Sequence, residues 1–223
     1  MKILVTNDDG IYSSGILALW NVAKQFGNVT VVAPSTQKSA VGHGITIDKP
    51  LYIKKIDIDN GFKGNSVSGT PADCVKIGIK KLTKSIPDMV LSGINIGSNL
   101  GNNIIYSGTV AAAIEGAVSG IPSIAFSLDS SNPKSFETSK VVVHKVLKLL
   151  MDYAPPLGTI LNVNIPNCKL EDLRGFKVTF QGKQYFDDNF DERIDPRGHK
   201  YYWMTGKIID QDKDLDCDGF AVK

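Results

Sequence analysis

Two adjacent carboxylates, Asp8 and Asp9, stand within Thr6-Asn7-Asp8-Asp9-Gly10, directly behind the short apolar run Ile3-Leu4-Val5. Neighbouring carboxylates repel each other unless a proton or a cation lies between them. Their hard oxygen donors suit a divalent ion such as Mg²⁺ or Mn²⁺. In an open α/β sheet, ligands collect at the carboxyl ends of strands, where the chain turns toward a helix. The same residues also make a good acidic turn capping the next helix. The pair by itself leaves both readings open.

Two further polar segments follow expected strands. Residues 35–44 offer Ser35, Ser39 and His43, and residues 92–109 offer Asn95, Asn99, Ser107 and Thr109. An amide oxygen or a hydroxyl can complete a hard-cation shell begun by two carboxylates, with water in the remaining positions. Ser107-Gly108-Thr109-Val110 precedes an Ala-rich helical stretch. Gly108 would let the backbone approach a ligand closely, and the N–H groups of a helix start favour an anion. Alone, Thr109 reads as a helix cap. Together with Asp8 and Asp9, the segment reads as a phosphate site facing a cation, which is the layout of a phosphoryl-transfer centre.

Other candidates carry less. His43 could donate a proton, although a polar loop histidine is usually solvated; His144 reads as structural and His199 as part of the turn-like Asp195-Pro-Arg-Gly-His199. Asp214-x-Asp216-x-Asp218-Gly219 opens like a calcium loop, but the sequence supplies no acid at loop position 12, so it reads as a solvated turn. No GxGxxG follows a strand, and neither a P-loop nor a GxSxG elbow occurs.

The elements that must position these groups are legible from periodicity. Ile16, Leu17, Leu19, Trp20, Ala23 and Phe26 fall at helical spacing, and Gly27 is a stop. Val29 to Ala33 is β-rich and ends at Pro34. Residues 45–68 read as an extended excursion with a hairpin turn at Asn60-Gly61. Thr70-Pro71-Ala72-Asp73 opens a helix with Val75, Ile79 and Leu82 inward. Pro87 to Leu91 is a strand, and residues 92–103 read as irregular. A helix over Thr109 to Ser119 and a strand over Ser123 to Ser127 come next. A second helix over Ser135 to Tyr153 has Val142, Val146, Leu149 and Leu150 inward. Strands follow at Ile160 to Ile165 and Phe176 to Phe180. This alternation predicts an α/β fold, a Rossmann-like and mostly parallel sheet with helices on both faces. Residues 1–181 read as the catalytic domain. Residues 182–223, with Tyr185, Phe186, Phe190, Tyr201, Tyr202 and Trp203, read as an arm.

Bulk properties bound the rest. The chain has 223 residues, 42% hydrophobic and 22% charged, with a net charge of +2, too small for a nucleic-acid or membrane surface. Its three arginines, Arg174, Arg193 and Arg197, all lie late in the chain. Three scattered cysteines without a CxxC pair fit a reducing compartment. No signal-peptide pattern and no apolar run of roughly 20 residues is present, so the expectation is a cytoplasmic, soluble protein.

Six stretches in order carry a resemblance: Ile3-Leu-Val-Thr-Asn-Asp-Asp-Gly-Ile11; Val32-Ala-Pro34 with Ser39; Gly69-Thr-Pro-Ala-Asp-Cys-Val75; Ser92-Gly-Ile-Asn-Ile-Gly-Ser-Asn-Leu-Gly101; Tyr106-Ser-Gly-Thr-Val-Ala-Ala-Ala-Ile-Glu-Gly116; and Asp195-Pro-Arg-Gly198 with Tyr201-Tyr-Trp203. In these the chain resembles the SurE family of metal-dependent 5′/3′-nucleotidases, the stationary-phase survival proteins. The resemblance implies hydrolysis of nucleoside monophosphates, and of short polyphosphate besides. It implies one divalent cation per subunit on Asp8, Asp9, Ser39 and Asn95, with Asp8 and Asp9 catalytic. It further implies a phosphate held by Ser107, Gly108 and Thr109 with Asn99 nearby, and a homodimer or homotetramer joined through the C-terminal arm. Two departures stand out: Ala40 occupies a position that is often Gly, and the family's final strand with its Ser/Thr-Pro-Leu signature is not present.

Metal-activated water is the favoured nucleophile, because acids that ligate one ion are poorly placed to attack; direct attack by Asp8 or Asp9 is the alternative. Two other classes stay in play. A non-catalytic nucleotide-binding module would use the same crevice. A receiver-like signalling domain would need an acid where Gly93 stands.

Overall fold

The computed structural model describes residues 1–58, 61–153, 155–211 and 213–223. In chain order the elements are β1 (Lys2–Thr6), α1 (Ser14–Ala23), β2 (Asn28–Pro34), β3 (Ile53–Ile58), β4 (Phe62–Val67), α2 (Pro71–Ile77), β5 (Met89–Ile96), α3 (Gly108–Val118), β6 (Ser123–Asp129), α4 (Glu137–Asp152), β7 (Ile160–Pro166), β8 (Tyr185–Ile194), β9 (Lys200–Ile209) and α5 (Asp218–Ala221). Seven strands form one sheet in the order β3-β4-β2-β1-β5-β6-β7. All its pairings are parallel except β3 with β4. From β1 the chain builds outward through β2 and then crosses to β5 on the other side. The carboxyl ends of β1 and β5 therefore flank the point where strand order reverses, the usual place for a ligand crevice.

Strand alternation explains the two-sided core. Ile3 and Val5 of β1 pack into a cluster with Leu19, Val31, Leu91, Phe126 and Val143. Leu4, between them in sequence, packs into a second cluster with Val32, Val75, Val90 and Ala112. Successive side chains of a strand face opposite ways, so α1 and α4 cover one face while α2 and α3 cover the other.

Helix starts behave as their local chemistry requires. Thr70 and Asp73 form a reciprocal capping box with Pro71 in the first turn. Ser107 caps α3 by accepting a hydrogen bond from the Val110 N–H at 3.1 Å. Thr109, the residue expected to cap that helix, has its hydroxyl on Asp8 instead.

Several expectations need correction. Asn95 and Ile96 belong to β5, which runs on past Leu91 with a register shift between Ser92 and Asn95. The Gly93–Ile94 peptide is cis. Residues 45–68 are less an excursion than the edge of the main sheet, because β4 pairs in parallel with β2. The turn expected at Asn60-Gly61 involves residues 59 and 60, which lie outside the described residues. Phe176 to Phe180 is not a strand; only an isolated bridge from Phe180 to Cys217 forms there. Leu149 is 51% exposed rather than inward. A short apolar run looks the same whether or not a sheet edge is available to pair with it.

Contacts divide the chain into two compact units: Met1–Asn99 with Ile105–Gly175, and Leu100–Ile104 with Phe176–Lys223. In the second unit, β8 and β9 pair antiparallel from Tyr185↔Ile209 to Ile194↔Lys200, and every residue of β8 is exposed. Asp218 is no solvated turn residue. It is buried, and its carboxylate accepts from the backbone N–H groups of Gly101 and Gly182, each at 2.9 Å. No described helix is long and apolar enough to cross a membrane.

Candidate active site

All eight residues singled out for metal or phosphate lie in the first unit, and hydrogen bonds tie the segments that carry several of them to the acidic turn. Asp8, at the mouth of β1, accepts a hydrogen bond from the Thr109 hydroxyl. Its backbone carbonyl accepts from the Lys38 N–H at 2.7 Å, which draws in the segment bearing Ser39. Asp9 Oδ2 accepts from the Ile96 N–H at 3.3 Å, fastening the acidic turn to the end of β5. Gln37 Nε2 donates to Asp9 Oδ1 at 3.4 Å and to Ser39 Oγ at 3.0 Å. Asn95 commits its Nδ2 to the Gly97 carbonyl at 2.7 Å, so its Oδ1 is the end available to a cation.

Asn99 stands slightly apart. Its Nδ2 donates to Ser127 Oγ at 2.7 Å and its N–H to Asn164 Oδ1 at 2.8 Å; its carbonyl accepts from the side-chain amides of Asn162 and Asn164. Among the described residues no hydrogen bond joins it to the group around Asp8.

The electrostatics are those of a site short of positive charge. Burial raises the Asp8 carboxyl from 3.8 to about 6; the Thr109 hydroxyl opposes the rise and the neighbouring Asp9 adds to it. Asp9 is raised as well, again by burial, against the pull of the Ile96 N–H. Gly108 leaves the space that brings the helix start against this pair: a Cβ there would lie 2.8 Å from Asp8 Cβ and 3.1 Å from Asp8 Oδ2.

The donor set fits a hard divalent cation. Asp8 and Asp9 follow β1, Ser39 follows β2 and Asn95 lies in β5, and all four offer oxygen ligands. Among the described residues no group of three His, Cys, Asp or Glu could hold a metal, so a cation here depends on the hydroxyl and amide oxygens.

The family model described as "Survival protein SurE" matches residues 3–188. The chain belongs to the SurE family. It is 48% identical over 222 residues to the "5'-nucleotidase SurE" of Syntrophobacter fumaroxidans, covering 100% of this chain and 89% of that protein. It is 50% identical over 220 residues to the protein of the same name from Petrotoga mobilis, covering 98% of this chain and 87% of the relative. The crystal structure of the SurE protein from Aquifex aeolicus matches the fold with a TM-score of 0.83 at 43% identity, covering 100% of this chain and 89% of that one.

Beside these SurE motifs lie groups that periodicity and motif reading passed over. Glu115 is buried in α3 and holds two partners: His43 Nε2 at 2.9 Å and Lys76 Nζ at 2.7 Å. His43 is therefore tied down rather than merely solvated. An acid inside an otherwise apolar helix was the available signal. Asn162 and Asn164 alternate with apolar residues in β7, and that alternation marked them as facing something polar.

Ala40, at the position where the resemblance leads one to expect Gly, adopts a left-handed φ of +55°. For a residue with a Cβ that conformation costs about 1–2 kcal/mol. Glycine would relieve that cost, and its greater unfolded-state entropy offsets part of the gain. Ala40→Gly is thus expected to raise the melting temperature by about 1–2 °C in a thermal melt. A fall in melting temperature would show that the loop is not strained there.

Proposed function

We propose that this chain is a metal-dependent phosphomonoesterase that hydrolyses nucleoside 5′- and 3′-monophosphates, and short polyphosphate, releasing inorganic phosphate. One observation carries the reading: the raised acid pair at the end of β1 is bonded directly to the start of α3 through Thr109. An anion-binding helix start and a cation-binding carboxylate pair then address the same small volume. The relatives named as 5′-nucleotidases support the same activity for this chain.

Asp8, Asp9, Ser39 and Asn95 would hold a divalent cation, which would supply neutralisation of phosphate charge and activation of water for attack. Ser107 and the backbone N–H groups of Gly108 and Thr109, which lie ahead of the first bonded N–H groups of α3, would hold the remaining phosphate oxygens. Thr109 fixes which way the Asp8 carboxylate faces. In the net reaction a water oxygen forms a bond to phosphorus, the bond from phosphorus to the ester oxygen breaks, and a proton ends on the nucleoside hydroxyl. A loose transition state of this kind asks for alignment and charge stabilisation more than for covalent chemistry. Water is the better nucleophile because Asp8 and Asp9, as ligands of one ion, would be poorly placed to attack, and Asp8 Oδ1 is further engaged by Thr109.

The exposed β8–β9 hairpin is assigned the role of an arm joining copies of the chain, in a dimer or tetramer. The three cysteines form no disulfide, in keeping with a cytoplasmic setting. A phosphate-release assay on AMP tests the function. Release is expected with Mn²⁺ or Mg²⁺ and is lost on chelation with EDTA. Nucleotide binding without turnover under any divalent ion would reduce the chain to a binding module.

A further inference from the structure

Immediately before the Ser107 cap, the backbone is fastened from two sides. The Gly42 N–H donates to the Tyr106 carbonyl at 3.0 Å. Gly42 has a φ of +53°, and a Cβ there would lie 3.2 Å from the Ile105 carbonyl oxygen, so glycine suits both the left-handed backbone and the close approach. The next residue, His43, is held by Glu115, which Lys76 holds in turn. The main chain beneath Tyr106 is thus anchored to α3, α2 and the loop that carries Ser39.

The side chains above that anchored backbone are left uncovered: Tyr106 is 62% exposed and Ile105 is 69% exposed. Leaving apolar surface in water costs about 25 cal/mol per Å². Mobile loop tips shed that cost by moving, whereas a pinned backbone cannot. A flat π-face carried on an anchored backbone at this point suits a flat partner. Tyr106 stands one residue, roughly 3.8 Å of chain, before the cap of the helix assigned to the phosphate.

We propose that Tyr106 is the stacking platform for the nucleobase of the substrate, and therefore a specificity-determining residue that favours nucleotides over sugar phosphates. The inference rests on the nucleotidase reading above. Aromatic–base stacking tolerates every base, because each has a π-face, so the platform selects for a base without selecting which one.

The test compares AMP with ribose 5-phosphate, which carries the same ester and sugar but no base, in Mn²⁺-loaded protein. Tyr106→Ala is expected to raise the KM for AMP about tenfold while moving that for ribose 5-phosphate by no more than about twofold. Tyr106→Phe, which keeps the ring, should restore the AMP value. Equal losses on both substrates would mean that the substitution deforms the phosphate loop, and the platform would be wrong. An unchanged KM for AMP would overturn it as well, leaving the ring to a second copy of the chain. If the unaltered protein releases phosphate from neither compound, the nucleotidase reading fails and takes the platform with it.

Discussion

Asp8→Asn is expected to abolish phosphate release and, in metal-free protein at neutral pH, to make the fold more stable. The carboxyl is buried and raised to about 6 from 3.8, so the folded chain holds a proton more tightly than the unfolded chain does. Between those two values the folded state binds more protons, and stability falls as pH rises through the window. Above it the ionised carboxylate imposes its full penalty, about 3 kcal/mol by linkage. Asparagine removes the charge but keeps an oxygen for the Thr109 hydroxyl to donate to. Thermal melts at pH 5 and pH 7, with EDTA and with Mn²⁺, check the result. In EDTA the wild-type protein should melt lower at pH 7 than at pH 5 as far as Asp8 contributes, and the variant should lose that part of the slope. At a hundredfold excess over the dissociation constant, Mn²⁺ should add about 2.7 kcal/mol to the wild type and little to the variant. An Asp8→Asn protein that melts lower in EDTA would refute the penalty of the buried charge, and one that Mn²⁺ stabilises as strongly as wild type would remove Asp8 from the metal site.

Gly15→Ala should be the most damaging small substitution in the scaffold. Gly15 lies in the first turn of α1, and a Cβ there would sit 1.9 Å from the Ile94 carbonyl oxygen and 3.0 Å from its carbon. Both atoms are backbone, so no side chain can turn aside. The helix would have to lift away from β5 beside Asn95. Overpacking of this sort costs about 3 kcal/mol or more, with a fall in melting temperature near 10 °C. Leu17→Ala, at a 38%-exposed position of the same helix, serves as the control and should stay close to wild type. Mn²⁺ affinity should weaken in the Gly15→Ala variant, because the clash falls on the Ile94 backbone, directly beside Asn95. A soluble Gly15→Ala protein with wild-type stability and metal affinity would show that the contact between α1 and β5 does not set the site.

Much of this architecture was legible in local sequence. Ile3-Leu4-Val5 had to be a strand covered on both faces, and Thr70, Pro71 and Asp73 together encode a helix start that needs no tertiary help. Asp8, Asp9 and the Ser107 to Thr109 segment stood out as polar groups behind expected strands or before an expected helix, whereas the choice of Ser39 and Asn95 as their companions came from the resemblance, and Asn95 lies inside β5. Phe176 to Phe180 failed for the opposite reason: strand propensity expresses itself only where another strand edge is within reach. Asp218 failed because an acid near a turn is solvated by default, and its burial depends on two distant glycine N–H groups.

The residue types, their order and the turns that carry them are thus properties of the sequence, since backbone preference and side-chain chemistry are local. Which hydroxyl caps α3 and which one binds Asp8 was settled only when residues 101 positions apart met. The raised Asp8 carboxyl and the engagement of His43 by Glu115 were settled in the same way. Those properties depend on exclusion of water and on charges brought close by folding, and neither is encoded in a stretch of neighbouring residues.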